Sequence, residues 1–168
     1  MKAIAVLAAL AAVVGVAAPA SAQDTGVYAN AGYTHFDADD VTLGGVTGRL
    51  GYKFNPNFAV EGEASIGVKD DNVGAVDVEL DHAVGVFGVG ILPVTPNFEI
   101  FGRVGYGQVK ASASVPGFNV AADEDGFAFG GGAQYMLTPK FGVRGDYTRL
   151  EGQDDGVDTV SASAVVKF

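Results

Sequence analysis

The 168-residue sequence has no cysteine and only two histidines, and its ten basic residues stand against 20 acidic ones. Without cysteine there are no disulfides, the common staple of a small exported domain with a thin core, so something else must hold the chain together. The net charge of −10 disfavours nucleic acid and polyanionic partners, and no basic stripe argues otherwise. His35 and His82 belong to no recognisable motif, which leaves no base for a serine nucleophile; the chain is read as not an enzyme. A long hydrophobic run is also missing. The apolar stretch from Ala3 to Ala18 falls short of the roughly 20 residues a spanning helix needs.

That stretch has another reading. Lys2 gives it a positive start, and "PASA" at Pro19 to Ala22 closes it with an Ala-x-Ala cleavage pattern. Residues 1–22 are therefore expected to be a cleaved secretory signal peptide, leaving residues 23–168 as one exported domain. Beyond that segment helices are disfavoured. All but one of the 25 glycines lie there, and glycine inside a helix costs roughly 1 kcal/mol relative to alanine.

Strand periodicity is plain instead. Three near-identical tetrads, "NPNF" from Asn55, "TPNF" from Thr95 and "TPKF" from Thr138, recur about every 40 residues, a spacing compatible with propellers, solenoids or stacked hairpins. After the first, Phe58, Val60, Gly62, Ala64 and Ile66 alternate with Ala59, Glu61, Glu63, Ser65 and Gly67. The same phase returns with Phe98, Ile100, Gly102, Val104 and Tyr106 against Glu99, Phe101 and Arg103, and with Phe141, Val143, Gly145 and Tyr147 against Arg144 and Asp146. The segments entering each tetrad alternate likewise, so each tetrad joins two strands. A segment from Ala83 to Leu92 is apolar on both faces, and its phase stays open. With a first strand over Val27 to Phe36 and a last over Thr159 to Phe168, the count is eight.

The tetrads make short turns at one end. The other connections, Asp37 to Val41, Lys69 to Glu79, Lys110 to Gly126 and Glu151 to Val157, are mostly longer and acidic. Outer-membrane barrels have this asymmetry and an even number of strands. Charge supports lipid as the solvent of the apolar face. The outward faces carry no charged residue in the strand cores, whereas Arg49, Lys53, Arg103, Arg144 and Lys167 share the other face with Glu61, Glu63, Glu99 and Asp146. A soluble barrel would invert that placement. The expected fold is all-β: an eight-stranded antiparallel up-and-down transmembrane β-barrel, whose closure satisfies the backbone without water or disulfides.

The terminal "VSASAVVKF" puts Val160, Ala162, Ala164, Val166 and Phe168 on one face and resembles the C-terminal strand signature of outer-membrane proteins, with Val166 where an aromatic is frequent. "GRLGYKFNPNFAVEGEAS", "LPVTPNFEIFGRVGYG" and "GGAQYMLTPKFGVRGDYTRL" resemble the strand-turn-strand units of the OmpA-type transmembrane domain and other small outer-membrane barrels. The resemblance covers essentially all of residues 23–168. It implies residence in the outer membrane of a Gram-negative bacterium, contact with outer-membrane lipids and insertion by the barrel-assembly machinery. It also implies a lumenal pair of Glu61 with Arg144. Gln134 stands where that family often has a second lumenal glutamate. No peptidoglycan-binding domain is expected beyond Phe168.

Several roles suit this scaffold. Eight strands enclose a lumen that side chains fill, so a structural barrel contributing to membrane integrity and presenting acidic loops comes first. A narrow channel lined by Arg49, Glu63, Arg103 and Arg144, or a loop-mediated adhesin, are the alternatives. Asp39, Asp40, Asp70, Asp71, Asp154 and Asp155 are weak candidates for holding a divalent cation, against the plainer reading of solvated loops, and no cofactor is implied. Phe54, Phe58, Phe98, Phe141 and Phe168 are expected to form the aromatic girdle at the periplasmic interface.

Overall fold

The computed structural model describes residues 25–38, 41–69, 71–73, 76–115, 118–152 and 156–168. The expected signal peptide and the domain start at Gln23 lie outside the described residues. The elements are β1 (Gly26–Ala38), β2 (Val41–Asn55), β3 (Phe58–Lys69), β4 (Asp71–Val73), β5 (Val76–Thr95), β6 (Phe98–Val115), β7 (Phe118–Met136), β8 (Phe141–Glu151) and β9 (Val157–Lys167). The described residues form no helix.

Neighbours in the sheet run β3-β2-β1-β9-β8-β7-β6-β5, and β3 pairs with β5 to close the ring. The short β4 continues the β3 side along β5, so the ring holds eight strands, all antiparallel. β1 also pairs with β9, which brings the first and last described strands together. Closure removes every sheet edge within the ring, which is the condition for strands to sit in hydrocarbon.

The two-residue period sorts the side chains. Leu50, Tyr52, Val60, Val86, Val104, Phe129, Val143 and Val160 are exposed on the outside. Arg49, Glu61, Arg103, Arg144 and Asp146 are buried on the inside. A continuous apolar exterior of this extent around a charged interior identifies lipid as the outer solvent. For the segment from Ala83 to Leu92, the structure settles the phase: Ala83, Phe87, Val89 and Ile91 face in, and Val84, Val86 and Leu92 face out.

One tetrad geometry accounts for all the short turns. Asn55 Oδ1 accepts from the backbone N–H groups of Asn57 and Phe58 at 2.9 and 3.0 Å. Thr95 Oγ1 serves Asn97 and Phe98 at 3.4 and 3.0 Å, and Thr138 Oγ1 serves Lys140 and Phe141 at 3.3 and 2.9 Å. The proline between has no N–H to satisfy and a fixed φ suited to the bend. The first letter of the tetrad thus matters as much as the second, since its oxygen takes the two remaining donors of the turn.

The long connections differ from expectation. Residues read as loops over Lys69 to Glu79 and Lys110 to Gly126 are largely strand. Lys110 pairs with Asp123, and the ladder continues without a register shift to Val115 and Phe118. In the sequence, the alternation of Lys110, Ser112 and Ser114 with Ala111, Ala113 and Val115 suits a pleated ladder, and charge in a segment does not keep its backbone from pairing. β5, β6 and β7 therefore run 20, 18 and 19 residues, against 11 each for β8 and β9.

Two substitutions test this architecture. Thr138→Ala should lower stability by about 1 kcal/mol, seen as an earlier midpoint in urea unfolding from micelles. Val104→Lys, on the lipid face, should cost about 2–4 kcal/mol in the same measurement if it lies near the bilayer midplane, and less toward either interface.

Candidate functional site

The interior is the densest concentration of chemistry in the described residues. Three guanidinium groups and three carboxylates meet there from β2, β3, β6 and β8. Arg144 holds Glu61 through two bonds of 2.5 and 3.1 Å. Tyr28 OH donates to the same Glu61 Oε1 at 2.6 Å, and Glu61 is fully buried. Arg49 Nε donates to Glu63 at 2.8 Å, while its two terminal nitrogens reach Asp146 at 3.1 and 3.0 Å. Arg103 Nη2 donates to Glu63 at 2.6 Å, and its Nη1 lies 3.6 Å from Asp146. Arg144 Nε completes the set, 3.3 Å from Asp146.

Each carboxylate therefore meets at least two donors, and charges of both signs are equal in number. That balance is what makes burial tolerable, because an unpaired charge in this environment costs several kcal/mol. Aromatic faces add to it. The Arg103 guanidinium lies 3.5 Å from the Phe87 ring centroid and that of Arg144 lies 3.9 Å from Phe101, both within cation–π range.

Glu99 lies apart, toward the short-turn end, where it accepts from Lys53 at 3.0 Å and from Gln134 at 2.8 Å. Gln134 thus supplies a neutral donor to a carboxylate. Against the β1 wall, Thr34, Thr47, Ser65 and Ser161 form a chain of hydroxyl contacts at 2.6 to 2.8 Å. Toward the long-strand end the interior turns apolar, with Phe36, Leu43, Ala83, Phe87, Ala128, Leu150 and Val157 in one buried cluster. Small cavities of about 30 Å³ beside Phe87 and Leu150 and about 10 Å³ beside Glu99 and Arg144 lie among these side chains. Each has room for about one water.

Glycine makes this filling possible at two places. A Cβ at Gly51 would strike the Tyr28 ring, and one at Gly85 would come within 2.6 Å of Phe87. Small residues on the inner wall thus give large side chains their space.

All seven residues of the expected lumenal set lie inside: six form the network of guanidinium and carboxylate groups, and Glu99 forms the separate pair. Sequence reasoning missed Tyr28, the hydroxyl chain and the apolar cluster. The even-numbered positions of β1, Tyr28, Asn30, Thr34 and Phe36, carried the signal, since they share one face of that strand. At the short-turn rim Phe54, Phe58 and Phe141 are 57%, 61% and 56% exposed, while Phe98 and Phe168 are half-buried. Asp39, Asp40, Asp70, Asp154 and Asp155 lie outside the described residues, and Asp71 is described only as part of β4. No group of three metal-ligating side chains occurs among the described residues. His35 is half-buried and His82 exposed.

A closed eight-stranded barrel with an apolar exterior and a neutral, ion-paired interior defines a class, the small integral membrane barrels. The sequence matches the outer membrane protein beta-barrel domain over residues 6–168, and the chain belongs to that family. Among solved structures it is similar to Ail, the attachment invasion locus protein of Yersinia pestis, in complex with the heparin analogue sucrose octasulfate. The identity is 20%, the TM-score 0.66, and the match covers 86% of this chain and 99% of that one. The N-terminal β-barrel domain of Pseudomonas aeruginosa OprF gives 11% identity and a TM-score of 0.67, covering 87% of this chain and 98% of that one. Neisserial surface protein A gives 16% and 0.63, covering 86% and 97%. These likenesses bear on fold alone. No curated protein sequence matches the chain.

Removing one partner of the buried Arg144–Glu61 pair should cost about 3–5 kcal/mol, because it strands the other charge. Glu61→Leu and Arg144→Met should each unfold at markedly lower urea in micelles. The double variant should recover much of the loss, and a double-mutant cycle measures the coupling.

Proposed function

We propose that the chain is an integral barrel of the Gram-negative outer membrane that contributes to membrane integrity and presents an acidic, strand-rich extension to the medium. The observation that carries this reading is the packing of the lumen by the described residues: the ion-paired network and the apolar cluster occupy it, with small cavities of about 30 and 10 Å³ among them. A barrel so packed is a rigid support rather than a conduit. Its apolar exterior supplies the contact with lipid, and the tetrad turns mark the periplasmic side. Residues 1–22 act as the export signal, and insertion proceeds through the barrel-assembly machinery.

Recognition by the outer end is the second reading, favoured by the length of β5, β6 and β7. The Ail structure carries a heparin analogue, a polyanion. A chain of net charge −10 is ill suited to that ligand class, so the charge argues for a cationic partner instead.

Planar-bilayer recording of the refolded protein should give no conductance above the empty membrane. Deleting the gene should raise sensitivity to detergent, chelator or osmotic shock, and unchanged sensitivity would remove the structural role. The mass of the membrane-extracted protein should correspond to a chain beginning at Gln23. Recovery in the soluble fraction would overturn the membrane reading altogether.

A further inference from the structure

The outer wall of the barrel carries a groove of about 910 Å³. Two register rows build its lining. Gly48, Ala64, Val84, Gln108 and Asp125 stand side by side across β2, β3, β5, β6 and β7. One step toward the short-turn end, Ala29, Leu50, Gly62, Val86 and Tyr106 do the same from β1 to β6. Leu50, Val84, Val86 and Tyr106 stand exposed, and between them Gly48, Gly62 and Ala64 lower the wall. A Cβ at Gly62 would meet nothing within 4 Å.

A register row crosses strands that tilt by about 35–45°, so the groove climbs the wall obliquely. From β1 to β7 it spans five strand spacings of about 4.8 Å, roughly 24 Å, against about 15 Å for half of a hydrocarbon core. Such a slot suits an extended apolar chain. A peptide laid there would carry unpaired amides into hydrocarbon, which an acyl chain does not. A second barrel fits no better, because two oblique grooves of the same hand cross on facing walls and do not interlock. At the upper end the lining turns polar. Asp125 lies two residues above the first β7–β8 pair, at Phe127, and accepts from Tyr106 OH, with Gln108 beside it in register. Arg49 and Glu63 also border the groove, but their side chains turn to the lumen, where they pair at 2.8 Å. The charge that this lining presents to the outside is therefore one carboxylate.

We propose that this groove binds an acyl chain of one phospholipid and that Asp125 receives a cationic amine of its headgroup. The site rests on the lipid-facing reading of the exterior and adds to it a fixed position and a headgroup preference. On the low floor the acyl chain makes contacts that bulkier residues would deny it. At the rim the amine makes a charge-assisted hydrogen bond to the carboxylate. An anionic headgroup without an amine meets only repulsion there.

The full chain, refolded in micelles, is titrated with phosphatidylethanolamine or phosphatidylglycerol of the same acyl chains, and bound lipid is counted by native mass spectrometry. One phosphatidylethanolamine per barrel should bind about tenfold more tightly than phosphatidylglycerol. Gly62→Leu, which fills open space, should weaken both lipids about tenfold, whereas Gly145→Leu, on the lipid face outside the groove, should change neither. Asp125→Asn should keep one bound lipid and lose the preference between the two. Equal losses in Gly62→Leu and Gly145→Leu, or no loss in either, would mean unspecific lipid and overturn the site. A preference unchanged in Asp125→Asn would overturn the headgroup assignment, and barrels that pair in place of holding a lipid would overturn both. A chain that stays soluble without micelles would remove the lipid-facing reading beneath the site, while a folded, micelle-bound barrel that holds no lipid would reject the site alone.

Discussion

The structure depends on the rule that a peptide N–H or C=O cannot be left unpaired in hydrocarbon. The β3–β5 ladder is where that rule is met for the ring as a whole, because it turns an open sheet into a closed one. Everything else adjusts to closure. Only the outer wall touches lipid, so apolar side chains belong there, and polar ones are left to the narrow interior. The absence of cysteine follows naturally, since a ring of continuous ladders holds the first and last described strands together without a covalent staple.

Closure sets a second condition inside. The interior is narrow, and its charges neutralise one another directly. Arg49, Arg103 and Arg144 do this with Glu61, Glu63 and Asp146, each arginine touching two carboxylates. Arginine suits the task because its planar fork spans two acceptors at once. Phe87 and Phe101 stack under two of the forks, so the apolar and ionic parts of the core interlock.

Much of this was legible in the residues. The two-residue period assigned faces to strands β2, β3, β6, β7 and β8, and with them the inward charges. The choice of partners was not legible, because strands separated in sequence face each other across the lumen. Arg49 on β2 reaches Asp146 on β8 through the stagger of the ring, which no local pattern encodes. The segment from Ala83 to Leu92 was silent for another reason: both its faces are apolar, one for lipid and one for the lumenal cluster. Acidic stretches read as loops proved to be strand, since charge reports solvation and not backbone pairing.

The tetrad turns have a further consequence for the bilayer. Their inner donors are satisfied by the side chain of the first residue, without help from water or lipid headgroups. A thickening bilayer can thus rise around that rim without surrounding an unpaired amide. At the other end Arg149 and Asp158, paired at 2.9 Å, sit partly exposed beside Tyr147 and need an aqueous boundary. The two rims therefore offer the membrane boundary different groups, hydrogen-bonded turns at one end and an exposed ion pair at the other.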